Sequence, residues 1–77
     1  MTDVLFPRLS EQQPDAEGVV ATWFVDDGAT VTAGQLIAEV AVDKVDAEVF
    51  APADGVISIA VGEGESARQG TAIAAVA

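Results

Sequence analysis

The sequence contains no cysteine and no histidine. Disulfide staples are therefore excluded, as are zinc sites built on those ligands and any Cys- or His-based catalysis. No apolar run approaches the roughly 18 residues that a membrane-spanning helix needs. The start, Met1-Thr2-Asp3-Val4, lacks the basic segment and apolar core of a secretory signal. A cytoplasmic location is expected, or an organelle matrix if the chain is excised from a targeted precursor. Cations are scarce: Arg8, Lys44 and Arg68 stand against thirteen acids, a formal charge of −10. Such a surface repels nucleic acid and anionic membranes, which attract basic patches, and suits a partner with basic patches of its own. The scarcity has one further consequence: chemistry on a lysine side chain has a single address, Lys44.

At 77 residues the chain makes one small domain, and about half of it is hydrophobic, mostly as Ala and Val. A domain of this size is marginally stable and depends on a compact apolar core. Helical periodicity is poor. Short apolar runs separated by glycine and other turn residues point instead to a β sandwich or barrel. Strands are expected near 3–8, 19–25, 30–32, 36–42, 45–51, 56–61, 66–68 and 72–76.

The chain is written twice. Gly18 and the apolar strand after it recur at Gly55, an offset of 37. Then Gly28 matches Gly64, Gly34 matches Gly70 and Val40 matches Val76, all at an offset of 36. Two copies of one β unit should pack face to face around a pseudo-twofold axis and share a core. Ala51-Pro52-Ala53-Asp54-Gly55 forms the turn between the copies.

Between the copies lies a hairpin. With Asp43-Lys44 as a two-residue loop, Val42 faces Val45, Val40 faces Ala47 and Ala38 faces Val49, so that six apolar residues share one side. The other side pairs Ala41 with Asp46, Glu39 with Glu48 and Ile37 with Phe50, a mixed face expected toward solvent. Asp-Lys is not the usual signature of a primed turn, and Glu39 opposite Glu48 is unfavourable by itself. The only lysine therefore tops a protruding turn. The place related to it by the repeat lies just past the end of the chain, so the tip and the termini should sit at opposite ends of the domain.

These residues resemble the biotinyl/lipoyl attachment family, and within it the lipoyl domains of 2-oxo acid dehydrogenase complexes. The likeness runs from about Asp3 to Ala77. It includes Leu9-Ser10-Glu11, Glu17-Gly18, Trp23, Gly28, Gly34-Gln35-Leu36, Ala38-Glu39-Val40, Asp43-Lys44-Val45, Ala51-Pro52, Gly55-Val56, Gly64 and Gly70. The resemblance implies an all-β fold, a flattened barrel or sandwich of two four-stranded antiparallel sheets. It implies lipoic acid in amide linkage to Lys44, with Asp43 and Val45 flanking it in the turn. It implies a swinging-arm carrier, part of a dihydrolipoamide acyltransferase-type component and not itself catalytic. The implied partners are a lipoate-attaching enzyme, a thiamine-diphosphate-dependent 2-oxo acid dehydrogenase, an acyltransferase core and a flavoprotein dihydrolipoyl dehydrogenase. The loop Ser10 to Glu17 corresponds to an exposed family loop near the lysine turn that contributes to recognition by the decarboxylating partner. Ala41 and Val42 stand where relatives often carry Glu and then Thr or Ser, and Ser10 where Gly is common.

Three other functions fit parts of the pattern. A biotinyl carrier of a carboxylase would use the same lysine but favours Met on both sides of it, where this chain has Asp43 and Val45. An unmodified carrier-like β module, such as part of an efflux adaptor, usually lacks the tip lysine. An independent enzyme could recruit the acid pairs Asp26-Asp27 or Glu63 and Glu65 for general acid–base work. Both pairs flank glycine turns, where solvated charges belong.

Overall fold

The computed structural model describes residues 1–9 and 16–77. Ser10 to Asp15, most of the expected recognition loop, lies outside the described residues. Eight strands are present: β1 (Thr2–Leu5), β2 (Glu17–Trp23), β3 (Thr30–Val31), β4 (Leu36–Val42), β5 (Val45–Phe50), β6 (Gly55–Ile59), β7 (Ser66–Arg68) and β8 (Ala72–Val76). They build two four-stranded antiparallel sheets, ordered β5-β4-β2-β7 and β1-β8-β6-β3. The sheets face each other but do not close into a barrel. The expected bounds hold for β4, β7 and β8, whereas the others shift by one to three residues. The largest change is at β1, which ends at Leu5 and not at residue 8.

The two sheets are copies of one another, and each borrows a strand. β2 and β4 of the first repeat recruit β7 from the second, and β6 and β8 of the second recruit β3 from the first. The exchange is stitched by matching hydrogen bonds. Gly28 donates to the carbonyl of Ile57 at 2.8 Å, and Gly64 donates to that of Val20 at 2.7 Å. Ile57 in turn donates to Ala29, and Val20 to Glu65, at 2.9 and 3.0 Å. Gly28 and Gly64 hold φ of 89° and 83°, a region that side chains other than glycine occupy only at a cost. The remaining pair follows the same rule. Ala51 donates to Gln35 as Phe6 donates to Thr71, each at 2.8 Å. β5 and β1 are thus equivalent strands.

The change of offset from 37 to 36 has a structural cause. The β2–β4 register slips between Val20 and Thr22, so Ala21 is an extra, bulged residue in β2. β6 passes straight from Ile57 to Ser58 against β8. A bulge absorbs one residue without disturbing the ladder on either side.

A second bulge corrects the hairpin pairing. Leu36, not Ile37, is the partner of Phe50, and the register shifts between Leu36 and Ala38. Ile37 does not face solvent: it is fully buried beside Ala38. The bulge turns two consecutive side chains inward, and β8 does the same with Ile73 and Ala74. The shared core is built from these residues with Phe6, Val20, Val31, Val40 and Ile57. Burying side chains of this type stabilises the fold by roughly 1.5–3 kcal/mol each. That term has to carry a domain this small.

Candidate functional site

From Ala38 to Val49 the hairpin is paired as its sequence pattern requires: Val42 with Val45, Ala41 with Asp46, Val40 with Ala47, Glu39 with Glu48 and Ala38 with Val49. The apolar side packs inward along most of its length, and Ala38, Val40, Val42 and Val49 are buried. Val45 departs from that side's burial and is half exposed, because it sits on the edge strand next to the tip. Asp43 and Lys44 form the two-residue turn, and both are exposed.

Asp43 has φ of 57° and is the one non-glycine residue with positive φ among the described residues. Positive φ at the first turn position alone matches the φ signs of a type II′ turn, whose twist suits a tight hairpin. Aspartate tolerates this conformation better than most side chains, since its short carboxylate can engage the local backbone. The Asp-Lys sequence, which lacks the usual glycine, thus makes the turn at the expense of some local strain. Val42 below it is held in the core, so the strain stays at the tip and the lysine projects from a fixed base.

The base is pinned from the far side. Gly18, at the start of β2, lies against Phe6 and the hairpin. A Cβ there would collide with the Phe6 ring and fall 2.5 Å from the Ala41 carbonyl oxygen and 2.7 Å from Val42 Cγ2. Next to it Glu17 pairs in register with Arg68 of β7. The Arg8 guanidinium lies over Gly70, whose N–H donates to Phe6 at 2.8 Å. Arg8, Lys44 and Arg68 therefore all lie toward the end of the domain that carries the turn. Lys44 is exposed and makes no ion pair with a described residue.

The place related to Lys44 by the internal symmetry is taken by the two chain ends, which pair as Thr2 with Val76. One acid of each pair considered for catalysis holds a backbone N–H. Asp27 accepts the Ile59 N–H at 2.8 Å through Oδ1, and Glu65 accepts the Gly62 N–H at 2.7 Å through Oε1. One contact was not foreseen from sequence. Gln69 is buried and accepts the Leu9 N–H at 2.6 Å, anchoring the segment after β1. Its glutamine side chain gave no pattern by which to single it out.

Residues 3–76 match the biotin/lipoyl family described as "Biotin-requiring enzyme". The chain belongs to the biotin/lipoyl attachment family, as a lipoyl domain. Its fold matches the solution structure of the lipoyl domain of the 2-oxoglutarate dehydrogenase complex from Azotobacter vinelandii, with a TM-score of 0.78 and 36% identity, over 100% of this chain and 96% of that one. The dihydrolipoyllysine-residue succinyltransferase component of the 2-oxoglutarate dehydrogenase complex from the same organism is 45% identical over 69 residues, 88% of this chain and 17% of that protein. Its Escherichia coli K12 counterpart is 43% identical over 55 residues, 71% of this chain and 13% of that protein. The lipoyl domain thus spans less than a fifth of the curated relatives it matches.

Proposed function

We propose that this lipoyl domain carries lipoic acid on Lys44 and shuttles acyl groups and reducing equivalents within a 2-oxoglutarate dehydrogenase complex. The observation that carries the reading is the placement of the chain's single lysine, exposed and without an ion pair among the described residues, at the tip of a register-fixed hairpin. The attached group supplies a dithiolane that accepts an acyl group and two electrons. The chain's own residues do the rest. Asp43 and Val45 present Lys44 to the attaching enzyme. Val42 and Gly18 keep the turn's base fixed, so mobility is confined to the arm. The partners that take the arm are a thiamine-diphosphate-dependent 2-oxo acid dehydrogenase, an acyltransferase core and a flavoprotein dihydrolipoyl dehydrogenase. Tethering to a larger component raises the arm's effective concentration at each of them. In this reading the domain is a carrier, and two of the acids first considered for catalysis, Asp27 and Glu65, hold backbone N–H groups. It acts in the cytoplasm or an organelle matrix.

The test is intact mass after incubation with a lipoate ligase, ATP and lipoate, with a biotin ligase reaction in parallel. One lipoyl group should be gained by the wild type and none by Lys44→Arg, which keeps the charge and the fold. Biotin gained in place of lipoate would move the domain to the carboxylases, and lipoylation of the arginine variant would refute Lys44 as the attachment site.

A further inference from the structure

The internal symmetry provides a control for what the fold itself requires. From Leu36 to Val40 in β4 and from Ala47 to Phe50 in β5, positions of the lysine-bearing sheet have counterparts on the other sheet, held by equivalent backbone pairing. Two rungs of the outer face depart from their counterparts.

The first rung is apolar. Leu36 and Phe50 are cross-strand partners. The Phe24 N–H donates to the Ile37 carbonyl at 2.8 Å, which sets Phe24, just past the end of β2, beside them. Trp23 pairs with buried Ala38 and points inward, so Phe24 points outward. Phe24 and Phe50 are 51% and 52% exposed. On the other sheet the equivalent bonds join Leu5 with Ala72 and Ala60 with Ile73. The same backbone positions thus hold Leu5, Ala72 and Ala60, and the fold needs no aromatic ring there.

The second rung is acidic. Glu39 lies between Glu48 and Thr22. Its counterpart, Ala75, lies between Asp3 and Ser58. Two like charges directly opposite one another are destabilising, and neither glutamate has an ion pair among the described residues. The fold maintains a repulsion here that its other half avoids. A cation from outside would relieve it.

We propose that this face docks a cationic protein surface on an enzyme that takes the lipoyl arm. Phe24, Leu36 and Phe50 receive an apolar anchor, and Glu39 and Glu48 receive its Lys or Arg side chains. A second copy of the chain does not fit, because each copy carries a charge of −10. The acidic rung lies between the tip and the apolar rung, which is about 20 Å from Lys44 along β5 at strand spacing. A partner holding the tip in its cleft would meet the sheet with the wall of that cleft.

The inference rests on the carrier reading, and the test separates the two. The lipoylated chain is used as substrate for the decarboxylating and the flavoprotein components of a 2-oxoglutarate dehydrogenase complex. Phe24→Ala with Phe50→Leu installs the residues the symmetric rung already uses, so the fold should survive. Glu39→Gln with Glu48→Gln removes the repulsion, so the melting temperature should rise. For at least one enzyme both variants should raise KM by about 5–10-fold with kcat within about twofold. The glutamine variant should also flatten the rise of KM with salt. Unchanged KM for both enzymes, in folded and fully lipoylated variants, overturns the docking surface and leaves the carrier reading intact. A wild-type chain that accepts no lipoyl group overturns both.

Discussion

The indole N–H of Trp23 donates to the carbonyl oxygen of Val61 at 2.8 Å, tying the end of β2 in the first repeat to the segment that follows β6 in the second. The equivalent of Trp23 is Ile59, which has no side-chain donor; its backbone N–H is held instead by the Asp27 carboxylate at 2.8 Å. The two repeats are therefore clasped differently at corresponding places.

Trp23→Phe keeps most of the ring and removes the donor from a partly buried bond. A loss of about 0.5–1.5 kcal/mol is expected, more if the Val61 carbonyl cannot reach water. For a domain of this size that is a fall in melting temperature of roughly 4–8 °C per kcal/mol. Thermal unfolding followed by circular dichroism checks it. Lipoylation of Lys44 should be unaffected, because the clasp lies at the far end of β2 from the hairpin tip.

Gly28→Val and Gly64→Val test the symmetric stitches. A Cβ at either position would meet nothing within 4 Å, so any loss comes from backbone strain and not from a clash. With φ at 89° and 83°, each valine should cost about 1–2 kcal/mol or more. The two losses should be similar, since the glycines make equivalent bonds to Ile57 and Val20. Asparagine at the same positions should cost less. Urea denaturation of the four variants gives the comparison. Unchanged stability in both valine variants would contradict the positive φ.

What the sequence disclosed and what it withheld divide along one line. The hairpin register from Ala38 to Val49 was legible because an apolar and a mixed face segregate over that stretch, and a one-residue slip would mix them. The repeat was legible because turns that need positive φ leave glycines at fixed spacing. Ile37 was misassigned to solvent because alternation cannot announce a bulge, and an isoleucine beside an alanine looks the same in either register. The strand exchange was hidden because β3 and β7 have only two and three residues. Segments so short have no pattern of their own, and their pairing is fixed by distant partners. Lys44 could be singled out because it is unique, whereas Gln69 drew no attention.

Gly18 couples the body of the domain to the tip. Gly18→Ala would drive a methyl into the Phe6 ring, the Ala41 carbonyl oxygen and Val42 Cγ2. The carbonyl is backbone and cannot swing aside, so the hairpin base must move. A loss of about 1–3 kcal/mol is expected, as for other overpacked cores. Unlike the Trp23 change, this one should also slow lipoylation, because it displaces the strands on which the lysine turn stands. Equal lipoylation rates in a destabilised Gly18→Ala chain would show that the attaching enzyme tolerates movement of the base.

Ala41 and Val42 differ from the acid and hydroxyl residues often found before Asp-Lys, and the structure predicts opposite consequences for restoring them. Ala41 is on the outer face between Asp46 and Val19, half-buried, with room for a longer side chain to reach solvent. Ala41→Glu should cost only a few tenths of a kcal/mol from the neighbouring Asp46. It should speed modification by a ligase that reads an acid at this place. Val42 faces the core and is 4% exposed. Val42→Thr would bury a hydroxyl where a methyl now packs and should cost about 1–3 kcal/mol, unless the hydroxyl finds a backbone carbonyl. A mass-spectrometric time course of lipoylation, run beside thermal melts, separates the two. Faster loading with an unchanged melt for Ala41→Glu, and a lowered melt for Val42→Thr, is the expected pair. An Ala41→Glu chain loaded no faster would mean that the ligase recognises the turn through Asp43 and its geometry alone.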